Sequence, residues 1–225
     1  MELTSKDISR QEFTAARGLH SALFERVMVN LPRQSKVLDI GCGAGAWLER
    51  LGEAGFTDLT GIDKDISKSR GVPARLVEMD TDFEFRQLDV TSFDLISAIE
   101  VVEHVQNPGS FVRFIAAHLA PHGQAILTTP NVQSLPCRLG FLVKGALPNF
   151  DEKGEPTHIY PLLLDAFTKI LNEHGLEVRS TWGYPYKGTQ LYRKATVSLA
   201  HALGMFCRDD VPGDVLCMSI THKLS

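Results

Sequence analysis

Two stretches of this sequence hold side chains of a type and spacing that could do chemistry. The first is Asp39-Ile40-Gly41-Cys42-Gly43-Ala44-Gly45, in which three alternate glycines follow a carboxylate. Glycines so spaced let the backbone reverse tightly and bring bare N–H groups against a ligand, so the stretch reads as a turn that cradles a nucleotide. The second is Glu100-Val101-Val102-Glu103-His104. If that segment makes a helical turn, its polar groups at i, i+3 and i+4 project on one face. Carboxylates held that close repel unless a proton, a cation or a basic partner sits among them.

The elements that position these stretches follow from the hydrophobic pattern. Val37, Leu38 and Ile40 make a short strand into the glycine turn, and Ala46-Trp47-Leu48-Glu49-Arg50-Leu51 begins an amphipathic helix out of it. Residues 58–62 read as a second strand with Asp63 at its tip, where a carboxylate can accept from both hydroxyls of a ribose. After a loose turn over 65–71, residues 74–80 alternate as a third strand ending in Asp80-Thr81-Asp82. A rival placement puts that strand at 83–88 with Asp89 at its end; the first is preferred because Asp89 lies close to Phe93, where the next strand begins.

Residues 93–99 form the fourth strand, immediately before Glu100. Asn107 caps the following helix with Pro108 in its first turn, and Phe111, Val112, Ile115, Ala116 and Leu119 form its buried face. Gly123 ends that connection, and residues 124–129 are the fifth strand. Residues 131–158 are punctuated by Pro136, Gly140, Gly145, Pro148, Gly154 and Pro156; they read as a lid carrying a short helix over 139–147. A helix over 161–175, a strand over 176–182, a helix over 190–206 and a strand over 215–222 follow. Ahead of everything, residues 8–31 carry apolar positions at helical spacing, with Ser9 as a possible cap and Pro32 as a stop.

Length and composition bound the answer. The 225 residues suffice for one α/β domain, taken as 1–225 with an N-terminal helix within 1–31 and the insertion at 131–158. A net charge of -4 provides no global basic field, so nucleic acid is not the expected partner. Cys42, Cys137, Cys207 and Cys217 lack metal or disulfide-framework spacing, which points to reduced thiols. No apolar run reaches membrane-span length and the polar N-terminus is unlike a signal peptide, which makes the cytoplasm the default.

Which nucleotide the turn takes depends on Asp39. Gly41, Gly43 and Ala46 fit the looser G-x-G-x-x-A form of a dinucleotide fingerprint, so a nicotinamide-dependent oxidoreductase is one reading. A carboxylate at Asp39 would face the pyrophosphate with like charge, and suits instead a ligand carrying an ammonium and a sulfonium. Residues 37–45 resemble motif I (D-x-G-x-G-x-G) of the class I S-adenosylmethionine-dependent methyltransferases. The resemblance extends over roughly residues 30 to 185. It implies a Rossmann-like, seven-stranded, mostly parallel sheet with an antiparallel C-terminal hairpin and helices on both faces. It also implies S-adenosylmethionine as cofactor and S-adenosylhomocysteine as product, held by Asp39, Gly41, Cys42, Gly43 and Gly45, with Asp63 on the ribose and Asp80 and Thr81 on the adenine.

Glu100-x-x-Glu103-His104 is similar to the pattern after the fourth strand in ubiquinone-pathway O-methyltransferases and in the methyltransferases that add a 2′-O-methyl group to plant small RNAs. That similarity implies a divalent cation on Glu100, Glu103, His104 and a second histidine, for which His158 has the corresponding place, gripping vicinal hydroxyls of the acceptor. A bound cation would lower the pKa of a hydroxyl and fix its distance from the methyl group. The alternative is a metal-free site with His104 as general base. The expected acceptor is a small molecule or a glycan or ribose hydroxyl, because the Asn-Pro-Pro-aromatic signature of amino-directed relatives does not follow Pro130. Tyr184, Tyr186 and Tyr192 are candidates to line its pocket, and Arg138 and Lys144 to meet an anionic group. A catalytically silent relative that only binds the cofactor is the remaining alternative.

Overall fold

A computed structural model describes residues 15–28, 31–69, 71–80, 85–86, 88–89, 92–186 and 211–224. Val37, Leu38 and Ile40 alternate across a strand that has apolar cover on both faces, and β1 (Lys36–Ile40) is buried from Val37 onward. It runs parallel between β2 (Asp58–Asp63) and β4 (Phe93–Ile99), with Asp39 level with Gly61 on one side and Ser97 on the other. β3 (Arg75–Glu78) extends the sheet beyond β2, and β5 (Leu119–Pro130) extends it beyond β4. β6 (Leu176–Tyr184) and β7 (Val215–His222) close it as an antiparallel pair, and the order is β3-β2-β1-β4-β5-β7-β6. This is the seven-stranded α/β sheet that the sequence leads one to expect.

Strand order reverses between β1 and β4, so the loops leaving these neighbours diverge and open a crevice at the carboxyl edge. Residues 41–45 follow β1 and residues 100–104 follow β4, which brings both chemically equipped stretches to one crevice.

Alternate strand residues feed two cores. On one face α1 (Leu19–Leu23), its continuation as a π turn (Phe24–Met28), and α2 (Ala46–Glu53) cover Val37, Leu95, Ile126 and Cys217. On the other, α3 (Pro108–His118) and a later helix over Leu164–Glu173 press Phe111, Ile115 and Phe167 against Leu38, Ile96 and Leu127. Burying each of these large side chains stabilises the fold by about 2–3 kcal/mol.

The structure shifts several expected boundaries. β5 begins at Leu119, straight after α3, five residues before the expected start, and a register shift between Phe93 and Leu95 absorbs the extra chain. Gly123 allows this, since a Cβ there would lie 2.8 Å from the Phe93 carbonyl oxygen. The insertion helix, α4 (Leu135–Lys144), starts four residues earlier than expected: Ser134 caps it by accepting from Cys137 N–H at 3.4 Å, and Pro136 sits in its first turn. Pro136 was expected as a break, but a proline in the first turn forfeits no intrahelical bond. α5 (Leu164–Glu173) starts at Leu164, three residues later than expected, with its first N–H donated to Gln133 Oε1 at 2.6 Å. Of the expected N-terminal helix, the described part is α1 and its π turn; Ser9, Thr81, Tyr192, Cys207 and the helix expected over 190–206 lie outside the described residues. No described helix is long and apolar enough to cross a membrane.

Candidate active site

The glycine turn is held by its neighbours. Gly41, Gly43 and Gly45 all have positive φ, at 68°, 52° and 87°. Gly41 and Cys42 donate their N–H groups to the Ile62 carbonyl at 2.8 and 3.0 Å, tying the turn to β2. A Cβ at Gly41 would lie 2.6 Å from Val101, so this glycine is what lets the turn pack against the loop after β4. Gly43 N–H donates to Asp63 Oδ2 at 2.8 Å, and Asp65 N–H donates to Asp63 Oδ1 at 3.0 Å. Each carboxylate oxygen keeps a second lone pair, so buttressing the turn leaves Asp63 able to accept from a diol.

Asp39 is buried and accepts from Ser97 Oγ at 2.6 Å, while Trp47 Nε1 donates to that same Oγ at 3.1 Å. Burial pushes the Asp39 carboxyl up to about 7, the Ser97 hydrogen bond opposes the rise, and the Asp63 charge adds to it. With Gly41, Trp47, Ile99, Ala15 and His20, Asp39 lines a cavity between the turn and the N-terminal segment. Burial and the Asp39 charge push the Cys42 thiol up to about 12, which disfavours the thiolate. Asp80 is exposed just past the carboxyl end of β3, whereas Asp89 faces Arg75 at 4.0 Å, at the strand's amino end.

The second stretch departs from a regular helix. Glu100 takes a left-handed φ of 56° and donates its N–H to Thr128 Oγ1 at 3.0 Å, after which Val102–His104 forms a single 3-10 turn. Glu103 is fully buried, and neither of its carboxyl oxygens has a hydrogen-bond partner; the same holds for Glu100 Oε1 and for Thr129 Oγ1. Burial pushes Glu100 up to about 7. Glu103 is driven well above the usual carboxylate range, by burial first and by the Glu100 charge second. The Thr129 hydroxyl lies close enough to offset part of that rise without meeting hydrogen-bond geometry. Two buried carboxyls with open lone pairs call for protons or a cation.

His104 and His158 complete the arrangement across 54 residues of chain. Their rings meet edge-on with centroids 4.8 Å apart, and one ligand atom each from Glu103, His104 and His158 lies within 4.8 Å of the others. His104 Nδ1 is 3.1 Å from the Thr157 carbonyl oxygen, and His158 Nδ1 is 3.0 Å from that of Asn149. A carbonyl can only accept, so both Nδ1 atoms carry the proton and the lone pair of each neutral ring falls on Nε2. Burial first and the neighbouring His104 second lower the pKa of His158, which favours the neutral ring. The Glu103 carbonyl accepts from both Ile159 and Tyr160 N–H at 2.9 Å, fastening the end of the insertion to the 3-10 turn. One carboxylate and two imidazoles oriented by carbonyls fit a divalent cation, and by ligand type suit Mn²⁺, Fe²⁺ or Zn²⁺ better than Mg²⁺. Glu100, expected as a fourth ligand, adds a buried and unpartnered Oε1 close enough for its charge to raise Glu103.

Other expected residues have plainer roles. Tyr184 donates to the Arg17 carbonyl at 2.6 Å and so braces the N-terminal segment, and Tyr186 is exposed. Asn131 donates to the Val211 and Gly213 carbonyls at 2.7 and 3.0 Å, a brace between β5 and the approach to β7. Arg138 and Lys144 are exposed on α4. Sequence reasoning missed His20, Asn149, and Arg26, whose guanidinium lies 4.5 Å over the Trp182 ring. It also missed His118, buried on the opposite core, which donates from Nδ1 to the Phe114 carbonyl and accepts Leu88 N–H at Nε2.

Comparison with known proteins sets this geometry in context. A family model described as a methyltransferase domain matches residues 9–181. Ubiquinone biosynthesis O-methyltransferase of Rickettsia canadensis is 29% identical over 155 residues, covering 63% of this chain and 65% of that protein. The mitochondrial protein of that name from Bos taurus is 29% identical over 161 residues, covering 67% of this chain and 44% of its own. The chain thus spans less than two thirds of the length of these two relatives. Among solved structures, a SAM-dependent methyltransferase from Archaeoglobus fulgidus superposes with a TM-score of 0.62 at 18% identity, covering 98% of this chain and 100% of that one.

Proposed function

We propose, from the premise that this chain belongs to the class I S-adenosylmethionine-dependent methyltransferases, that it methylates a hydroxyl oxygen of a small-molecule or glycan acceptor carrying a second, vicinal hydroxyl, with a divalent cation at Glu103, His104 and His158. Family membership decides between the two nucleotides that the glycine turn allowed. The observation that carries the cation reading is the convergence of the buried, unpartnered Glu103 carboxyl with two imidazoles whose Nδ1 atoms face carbonyls. Relatives named as O-methyltransferases support oxygen as the receiving atom.

S-adenosylmethionine supplies a methyl group already activated on a sulfonium, so the protein's work is to hold two reactants in line and to manage one proton. Asp39 would receive the cofactor's ammonium, giving up its proton as that charge arrives. Gly41, Cys42, Gly43 and Gly45, whose N–H groups are given to Ile62, Asp63 and Cys42 and not left bare as expected, would let the cofactor's amino-acid end lie close to the turn; Asp63 would accept from the ribose, and Asp80 with Thr81 would meet the adenine. When bound, the cation would lower the pKa of the acceptor hydroxyl and fix its position. Glu100 lies beside Glu103, where its carboxylate would stand ready to accept the hydroxyl proton.

A metal-free reading has one specific observation in its favour. The Nδ1 contact of His104 with Thr157 already places a basic lone pair on Nε2, which would serve a general base. One experiment separates the readings: transfer of a labelled methyl group to catechols and to sugar diols, with chelator and with Mn²⁺ added back. Loss of transfer with chelator and recovery with Mn²⁺ is the expected outcome. Transfer that ignores the chelator would leave His104 as base, and S-adenosylhomocysteine binding without transfer to any acceptor would mark a silent relative.

A further inference from the structure

His158 owes its orientation to a residue outside the ligand group. Asn149 has a left-handed φ of 69°, a conformation that asparagine tolerates better than most side chains. Its carbonyl oxygen is the one 3.0 Å from His158 Nδ1. A compact turn surrounds it: Phe150 N–H donates to the Leu147 carbonyl at 3.1 Å, Gly154 N–H to the Asp151 carbonyl at 2.9 Å, and Lys153 N–H to Asp151 Oδ1 at 3.1 Å. The Phe150 ring lies 5.3 Å from that of His158. Gly154 closes the turn directly on the Asn149 peptide, for a Cβ there would lie 2.6 Å from the Asn149 carbonyl oxygen and 2.5 Å from its carbon. Those are backbone atoms, which cannot swing aside as the end of a long side chain can, so any larger residue at 154 must move the carbonyl that His158 uses.

We infer that Asn149 is a positioning residue: its left-handed peptide, seated against Gly154, holds His158 in the Nδ1-protonated tautomer and so leaves Nε2 as the ligand atom offered to a divalent cation. The inference rests on the cation reading proposed above for Glu103, His104 and His158. Were the tautomer reversed, the ring would present an N–H to the cation from Nε2, and a protonated nitrogen cannot coordinate. A carbonyl on the far nitrogen of a ligating histidine is the common device against this, and losing such a partner costs about 10- to 100-fold in metal affinity. The role is carried by the backbone oxygen of Asn149, and the side chain enters only through its tolerance of the left-handed φ.

Four proteins test this: the unaltered chain, Gly154→Ala, Asn149→Gly and Asn149→Val. Two measurements are made on each, the ¹⁵N shifts of the His158 ring without metal and the binding of Mn²⁺ by calorimetry. S-adenosylhomocysteine binding reports that the fold is intact. Glycine accepts a left-handed φ and keeps the carbonyl, so Asn149→Gly should retain the Nδ1-protonated ring and bind Mn²⁺ within about twofold of the unaltered protein. Valine resists that φ, and the methyl group that Gly154→Ala introduces crowds the same peptide. Both variants should show mixed tautomers and about 10- to 100-fold weaker Mn²⁺ binding, with S-adenosylhomocysteine bound as before. An unchanged ring and unchanged Mn²⁺ affinity in Gly154→Ala and Asn149→Val would overturn the inference while leaving the cation reading standing. An unaltered protein that takes up no Mn²⁺ would overturn both.

Discussion

The glycine turn and the Glu103 cluster sit at the ends of adjacent strands, yet they are built on opposite principles. In the turn the polar groups are matched within the protein: Gly43 N–H has Asp63, Asp39 has Ser97, and Ser97 has Trp47. In the cluster, Glu103 Oε1 and Oε2, Glu100 Oε1 and Thr129 Oγ1 are buried with no partner. A satisfied network adds to stability and is preorganised before any ligand arrives. An unsatisfied one detracts from stability, at about 1–3 kcal/mol for each buried group left unpaired. The contrast suggests a division of labour. On the proposed reading the turn is a finished surface onto which a cofactor would dock, and the cluster an unfinished one that a ligand would complete.

Glu103→Gln gives the largest effect by which that contrast can be broken. It removes the one carboxylate in the converging group, and Lewis-acid stabilisation of several kcal/mol implies a fall in kcat of about 10²–10³-fold. S-adenosylhomocysteine affinity should change little, since the turn does not depend on Glu103. A steady-state assay in Mn²⁺ beside a cofactor titration measures both. If kcat survives the substitution, the cluster is not a cation site.

Asp39→Asn should show the converse at smaller size. Loss of a charge-assisted pair with the cofactor's ammonium, worth about 1.5–3 kcal/mol, weakens S-adenosylhomocysteine binding by about 10- to 100-fold. Mn²⁺ binding at the cluster should be unaffected. Equal damage to both ligands would show that the two regions are one coupled site.

Dependence on pH sharpens the same point for Asp39. Its folded-state carboxyl is raised from 3.8 to about 7, so between those values the folded protein holds a proton that the unfolded chain has released. Its contribution therefore favours the folded state at low pH and is lost as pH rises through about 7. Cofactor binding runs the other way, because the ammonium needs the carboxylate. S-adenosylhomocysteine should bind about tenfold more weakly at pH 6 than at pH 8, and calorimetry at the two values in Asp39→Asn should show that dependence abolished.

The same division explains what could be read from the sequence. The turn was legible because its signals are local: a glycine at every second position, a strand before it, a helix after it, and Asp63 at the next strand tip. Asn107 announced the start of α3 for the same reason, and its side chain does accept from Ser110 N–H at 3.0 Å. The cluster was legible only in its residue types. That Glu100 takes a left-handed φ between strand and 3-10 turn is something no propensity of glutamate foretells. That Asn149 and Thr157 orient the two imidazoles depends on backbone oxygens, and these carry no residue signature. Arg26 reaches Trp182 across 156 positions, a packing event between the N-terminal segment and β6.

The smallest effect compares one buried hydroxyl from each region. Ser97 Oγ donates to Asp39 and accepts from Trp47, so Ser97→Ala strips a partner from both and should destabilise the protein by about 1–3 kcal/mol, since two buried polar groups are left unmatched. The Ser97 bond also opposes the rise of the Asp39 carboxyl, so its loss moves the midpoint for S-adenosylhomocysteine binding to higher pH. Thr129 Oγ1 is just as buried but has no hydrogen-bond partner to lose. Thr129→Val is nearly isosteric and removes a desolvated hydroxyl that makes no hydrogen bond, its one loss being the partial offset of the Glu103 rise, so its urea midpoint should move far less than that of Ser97→Ala. A loss of stability in Thr129→Val as large as that in Ser97→Ala would mean that the cluster is as internally satisfied as the turn, and the distinction between a finished and an unfinished surface would fall with it.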